Sequence, residues 1–309
     1  MYRLSGESMR VSRMSLTNWL EKDSIHFRGL VTYLKNTCLE KDSIVNCDET
    51  WCRVKREGCY KKKYIWCLVN RLSKVVIYCY EDASRGQDAL EHILGDSQVK
   101  ALQSDGYNVY MYLDDHMVDI EHLCCMVHAR AKFQYALEQG GDKDAAFILE
   151  LIGELYKLER EYEEGKLSPE QIRLCRNDLK SKEIIIKLRG KLDALLSDDH
   201  PPRGDLMEKA ISYMNTFWTQ LFAYLNDGSY SIDNSIAERF IRPLAGERKN
   251  SSFFGSDRMA RVSAMYHTII STCKMQGVSV LDYFKRFFSE IVKGRRDYEH
   301  LLPLTIGLN

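Results

Sequence analysis

Net charge is missing from this chain. Its 44 Lys and Arg residues balance its 44 Asp and Glu residues over 309 positions, so whole-molecule basicity cannot hold a polyanion, and any nucleic-acid binding must come from local patches. Long apolar runs are missing too. No stretch approaches the roughly eighteen residues of a membrane helix, and the opening MYRLSGESMR has no apolar middle like that of a signal peptide. The expectation is a cytoplasmic protein with no membrane partner. Paired CxxC spacings are absent despite ten cysteines. Five of them, Cys47, Cys52, Cys59, Cys67 and Cys79, are scattered through strand-like sequence, which reads as reduced thiols serving as small apolar side chains. Internal repeats and low-complexity tracts are also lacking.

What is present, 45% hydrophobic and 28% charged residues, suffices for one sizeable core with a helical appendage. Residues 8 to 20, SMRVSRMSLTNWL, read as a polar lead and a helix with Leu16, Trp19 and Leu20 on one side. That pattern suits either a plain amphipathic helix or the second half of a helix-turn-helix. From 43 to 81 the runs SIVNCDETWCRV, YIWCLVNR and KVVIYCYE predict an antiparallel meander, with KREGCYKKK and NRLSK as its turns. A helix over GQDALEHILG, a strand VKALQSDGY, a further strand HLCCMVH and a helix ARAKFQYALEQ follow. The order β-β-β-α-β-α-β-α is a mixed α/β architecture. Strand signals stop from 134 to 230, where Ile148, Ile152, Leu155, Leu158 and Tyr162 recur at helical spacing. Acidic residues around 159 to 164 predict that this part faces water.

Two acids are conspicuous in that architecture. Asp48 falls inside the first strand and Asp105 at the carboxyl end of the strand after the crossover helix. Strands disfavour Asp, and a buried carboxylate costs several kcal/mol unless something pairs it. A divalent cation is one such partner; an edge-strand acid and a turn-forming Asp are the plain alternatives. The third acid, Glu238, lies in the basic stretch SIDNSIAERFIRPLAGERKNSSFFGS. A helix from Asp233 as N-cap to Arg242, stopped by Pro243, puts Ile236, Ala237, Phe240, Ile241 and Leu244 on its apolar side. Asn234, Glu238 and Arg242 fall opposite. By itself this spacing also fits a helix salt bridge to Arg242.

Taken together, DETW, SDGY, CMVHARAKF, IDNSIAERFIRPLAGERKNSSFFGS and HTIISTCKMQG resemble, in order and spacing, the insertion sequence 66 family of bacterial transposases. The resemblance implies a ribonuclease-H-like mixed sheet flanked by helices, with an all-helical insertion before the catalytic glutamate. It divides the chain into a partial helix-turn-helix with linker helices (1–40), the first part of the catalytic core (41–133), the insertion (134–230), the end of the core (231–295) and a tail (296–309). It makes Asp48, Asp105 and Glu238 the catalytic and metal-binding triad of a DDE transposase, with two Mg²⁺ ions, for which Mn²⁺ can substitute. Such ions stabilise the attacking and leaving oxygens of an in-line displacement at phosphorus, and three carboxylates against two divalent ions leave about one positive charge for the phosphate.

On this reading Arg239, Arg242, Arg248 and Lys249 contact phosphates. Arg130, Lys132 and His128 extend the track, although a solvated helix face and a structural histidine fit these three as well. The implied partners are DNA at element ends and target, a second copy in a synaptic complex, and accessory proteins of the element; the implied location is the bacterial nucleoid. Cys125 and His128 match a Cys-x-x-His signature of related transposases. As zinc ligands they lack a second pair, so orientation of a loop or DNA contact is the expectation. Phe217 and Trp218 suit helical core packing or stacking on an extruded base, and Lys61 to Lys63 a solvated hairpin turn. The resemblance places Met1 inside a longer N-terminal region, which keeps open a truncated, non-catalytic DNA-binding remnant; a stand-alone nuclease would share the metal site without needing the insertion.

Overall fold

The structure, a computed structural model, describes residues 2–4, 7–9, 11–81, 85–106, 119–197 and 204–307. Contacts group the chain into two compact units, 1–98 with 239–309, and 99–238.

The first unit begins with a short antiparallel hairpin, β1 (Tyr2–Leu4) and β2 (Glu7–Met9). Ser12 then caps the helix Arg13–Ser24 by accepting the Ser15 N–H. The apolar stripe expected on this helix is not buried: Trp19 and Leu20 remain 45% and 46% exposed. The next helix, Arg28–Cys38, buries Leu30, Leu34 and Cys38 instead. Arg10, part of the helix-turn-helix reading, lies outside the described residues.

The meander forms as expected: β3 (Ile44–Arg56), β4 (Cys59–Asn70) and β5 (Val75–Glu81) pair antiparallel in that order. Its first turn is tighter than KREGCYKKK suggested. Glu57 at φ 49° and Gly58 at φ 80° complete it, the left-handed pair that a two-residue hairpin of strand-matching twist requires. Lys61, Lys62 and Lys63 are therefore strand residues opposite Val54, Arg53 and Cys52, which corrects the turn reading. At the second turn Asn70 Oδ1 accepts the N–H groups of Leu72 and Ser73. Cys47, Cys52 and Cys67 are buried, the small apolar role expected of them, whereas Cys59 is exposed.

The helix Asp257–Met275 packs on β5, where Thr268 Oγ1 accepts the Tyr78 N–H at 2.9 Å and Thr272 Oγ1 the Val76 N–H at 3.1 Å. These bonds satisfy strand groups that an uncovered edge would expose. Phe27 closes the core against Tyr266, Phe284, Phe287 and Phe288.

The second unit has two parallel strands, β6 (Ala101–Ser104) and β7 (Glu121–Cys124), in register from Ala101 with Glu121 to Ser104 with Cys124. The connection expected to hold the second helix of the β-β-β-α-β-α-β-α order runs through 107–118, outside the described residues. The strand expected over HLCCMVH ends early, because Cys125 turns out of β7 and caps the helix Met126–Gly140. That helix packs on Lys143–Glu164 and on Asp205–Thr216, and Lys143–Glu164 packs in turn on Leu179–Leu196. Ile148, Ile152, Leu155, Leu158 and Tyr162 are buried, as their spacing predicts.

Glu159 departs from the water-facing reading of the acidic run. It holds Arg176, which is only 3% exposed and also donates to the carbonyls of Tyr224, Asp227 and Tyr230. Phe217 is core, and Trp218 is sandwiched between Arg189, 4.9 Å from its centroid, and Phe222 at 4.4 Å. Antiparallel and parallel strands flanked by helices make the fold mixed α/β, with the strand types and chain order of a ribonuclease-H-like core. Among the described residues no helix is long and apolar enough to cross a membrane.

Candidate active site

Asp105 is the first residue after β6, with its side chain half-buried. The chain turns there because Gly106 takes φ 76°; a Cβ at that position would stand 2.5 Å from Tyr213 Oη. Tyr213 in turn donates to the Asp105 carbonyl at 2.7 Å, tying the acid's backbone to the helix Asp205–Thr216. Burial, followed by the neighbouring Cys124, Cys125 and Asp105, pushes the Tyr213 phenol well above its ordinary range, so it acts there as a neutral donor. On the adjoining strand His122 Nε2 lies 3.0 Å from Ser104 Oγ. Nothing in local periodicity announces Tyr213 as a partner of Asp105, because the two meet only through folding.

Glu238 stands in the first turn of the helix Ser235–Ser251. The helix does not stop at Pro243 as expected but carries it in its interior. Proline forfeits one backbone bond there, and Ile241 and Leu244, both buried, flank it and hold the helix to its core. Asn234 also departs from its expected place on the open side: it is fully buried, and its N–H donates to Cys125 Sγ at 3.1 Å. Met126 N–H donates to the Ile232 carbonyl and Cys125 N–H to the Ser104 carbonyl. Three backbone bonds therefore fasten the Cys-x-x-His turn to the end of β6 and to the segment that opens the Glu238 helix. Tyr156 Oη and the Ser235 N–H both bond the Asp233 carboxylate, which holds that segment from its other side.

The result is a corner in which Cys125, His128 and Glu238 each present a donor atom within 4.8 Å of the others. His128 Nδ1 lies 3.6 Å from Glu238 Oε1, so the histidine faces an acid. Burial pushes the Cys125 thiol up to about 12, against the pull of the Asn234 and His128 N–H groups. The Cys-x-x-His spacing was visible in the sequence; its third member, more than a hundred positions away, was not.

Asp48 belongs to the first unit. It is half-buried in β3 opposite Cys67, and its Oδ1 accepts the Glu49 N–H at 2.8 Å. Burial first, and the Asp48 carboxylate second, push the Cys67 thiol well up. The side chain of the neighbouring Glu49 is buried and paired with Arg85.

The candidate phosphate contacts differ in exposure and surroundings. Arg239, Arg242 and Lys249 are exposed, as is Arg130. Arg248 is stacked 4.3 Å from the Trp51 centroid and donates to the Trp51 carbonyl, while Lys132 sits 4.8 Å from the Tyr213 centroid. Arg258 pairs with Glu21 at 2.7 Å.

Residues 2–262 match the model of the family described as Transposase IS66 family. Three Sinorhizobium fredii proteins are similar along the chain. One, named uncharacterized protein y4qI, is 29% identical over 315 aligned positions, covering 96% of this chain and 57% of its own length. Another, y4jD, is 28% identical over 73% of this chain and 44% of its own, and y4hP is 30% identical over 65% of this chain and 38% of its own. The chain thus spans about half the length of the curated relatives it matches.

Proposed function

The chain belongs to the IS66 family of transposases, and on that premise we propose that it cuts DNA strands at the ends of an insertion sequence and joins them to target DNA, with Asp48, Asp105 and Glu238 as its catalytic acids. The observation that carries this reading is the family match over 2–262, which spans all three acids. Asp105 stands at a strand's carboxyl end and Glu238 in a helix's first turn, on separate elements.

The donor chemistry fits hard divalent ions. Asp48 and Asp105 offer carboxylate oxygens, and Glu238 adds a third such group; Mg²⁺ prefers oxygen and is commonly held by a few carboxylates and waters. Two Mg²⁺ ions, or Mn²⁺ in their place, would supply charge stabilisation to the attacking and leaving oxygens. The chain's own contribution is to aim the carboxylates. Tyr213 holds the backbone at Asp105, and the bonds from Asn234 and Met126 set the start of the Glu238 helix. Arg239, Arg242 and Lys249, exposed along that same helix, supply charge for phosphate contacts whose strength falls as salt rises.

The test is plasmid nicking and 3′-end joining with Mg²⁺ or Mn²⁺, using wild type, Asp48→Asn, Asp105→Asn and Glu238→Gln. Cleavage by the wild type and its loss in each variant are expected. Equal activity in all four proteins refutes the assignment. DNA binding without cleavage by the wild type points instead to a non-catalytic DNA-binding remnant.

A further inference from the structure

The Mg²⁺ reading uses Glu238 but leaves Cys125 and His128 without a part, although they stand beside the same carboxylate. Sulfur, imidazole nitrogen and carboxylate oxygen within 4.8 Å of one another form a mixed donor set that hard ions do not select; thiolate with imidazole suits the zinc class of borderline and soft divalent ions. One pair of donor atoms already has the required spacing. Metal distances of about 2.0–2.3 Å around a tetrahedral ion put neighbouring ligand atoms about 3.3–3.8 Å apart, and His128 Nδ1 is already 3.6 Å from Glu238 Oε1.

Two further observations favour a ligand. Cys125 Sγ accepts the backbone N–H of Asn234 at 3.1 Å, a donor that stabilises sulfur in its anionic form. His128 Nδ1 is buried and makes no hydrogen bond among the described residues; its nearest acidic atom, at 3.6 Å, lies beyond hydrogen-bond reach. The scaffold is also fixed in advance, since Cys125 caps the helix on which His128 sits, and the bonds from Cys125 N to Ser104 O and from Met126 N to Ile232 O tie both ends of the site together.

We propose that Cys125, His128 and Glu238 form a binding site for one zinc-class divalent cation, with a fourth position left to water. Three protein ligands and an open position is the arrangement of reactive zinc sites, not of closed structural ones. His128 and Glu238 side chains keep 38% and 20% of their surface exposed, while His128 Nδ1 and Glu238 Oε1 face inward, buried. Binding takes Cys125 as thiolate and releases its proton to solvent.

The site itself does not depend on the transposition reading; its consequence for cleavage does. Glu238 cannot serve this ion and a Mg²⁺ pair at once, so zinc is expected to inhibit Mg²⁺-supported nicking, with relief by a chelator. Cys125→Ser should blunt the inhibition.

The direct test uses Co²⁺ as a spectroscopic stand-in on the full, chelator-stripped chain without DNA. One equivalent is expected to produce a thiolate-to-cobalt charge-transfer band in the near ultraviolet, together with the visible bands of a four-coordinate ion. The charge-transfer band should vanish in Cys125→Ser, and cobalt affinity should fall at least about tenfold in His128→Gln and in Glu238→Gln. Asp48→Asn should keep the full spectrum even where nicking is lost, which separates failure of this site from failure of the catalytic reading. The proposal is overturned if the wild type shows no such band at stoichiometric cobalt, if Cys125→Ser retains it, or if Glu238→Gln binds cobalt as the wild type does.

Discussion

Glu238 and Arg248 lie on one helix, yet the two ends of that helix meet opposite surroundings. At the first turn, in the unit 99–238, a thiol and an imidazole stand beside a carboxylate, and a backbone N–H bonds the thiol. In the last turns, in the other unit, Arg248 lies over the Trp51 ring and bonds its carbonyl, and the Tyr60 and Phe253 rings meet at a tilt just beyond the helix. Both ends read as charged in the sequence. One holds its charge among groups that can bind a ligand; at the other Arg248 is committed to packing while Lys249 stays exposed. Formal charge along a helix therefore says little about which side chains are available to a partner; the neighbours decide.

The largest effect expected from breaking this contrast is catalytic. Asp105→Asn and Glu238→Gln are each expected to lower plasmid nicking by at least about a hundredfold, the size of effect seen when one preorganised group is lost from a charge-stabilising site. Circular dichroism should stay unchanged.

Arg176 is the most committed charge in its unit. Replacing it with Met leaves Glu159 and three carbonyls without their donor, a loss of about 3–5 kcal/mol, to be read from urea unfolding.

Arg248 and Lys249 test the comparison side by side. Arg248→Ala is expected to cost about 1–2 kcal/mol of stability through the lost stack on Trp51. Exposed Lys249→Ala should leave stability within about 0.5 kcal/mol while reducing the salt dependence of DNA binding by about one phosphate contact. Equal stability losses in the two variants would dissolve the distinction.

Tyr213→Phe removes the donor to the Asp105 carbonyl and is expected to cost about 0.5–1.5 kcal/mol, with a fall in nicking beyond that of a distant variant of equal stability.

The smallest effect concerns acid. Hydrogen bonds from Arg56 and then Tyr80 hold the Asp257 carboxyl below its usual range, against the opposing pull of burial. Its stabilisation is therefore present above the unfolded value near about 3.9 and fades as pH falls through the lower folded value. Asp257→Asn should flatten that part of an acid unfolding curve.

The meander, the two parallel strands and the helical run were legible because period-two and period-3.6 patterns report which face each element buries. Val45, Cys47, Ile65 and Ile148 are buried as that logic requires. The misreadings share one cause. Lys61 to Lys63 looked like a turn because lysine is polar, but a Glu57-Gly58 turn needs only two residues and their left-handed backbone. Pro243 looked like a stop because local rules weigh the lost backbone bond and not the buried residues flanking it. Trp19 and Leu20 looked like a buried stripe and are not. Of the three acids, Asp48 stood out as an acid inside a strand, whereas Asp105 at a turn and Glu238 in a helix suit their own elements, and only the family resemblance joined them. Tyr213 and Asn234 could not be singled out, because each is ordinary where it stands.

Sequence alone determined the kinds of elements and their order, since propensity and periodicity act over a few residues. Tertiary structure alone decided that Glu238 meets Cys125 and His128, and which arginines are spent on packing. Those outcomes depend on contacts between residues far apart in the chain, and no local pattern encodes a distance across it.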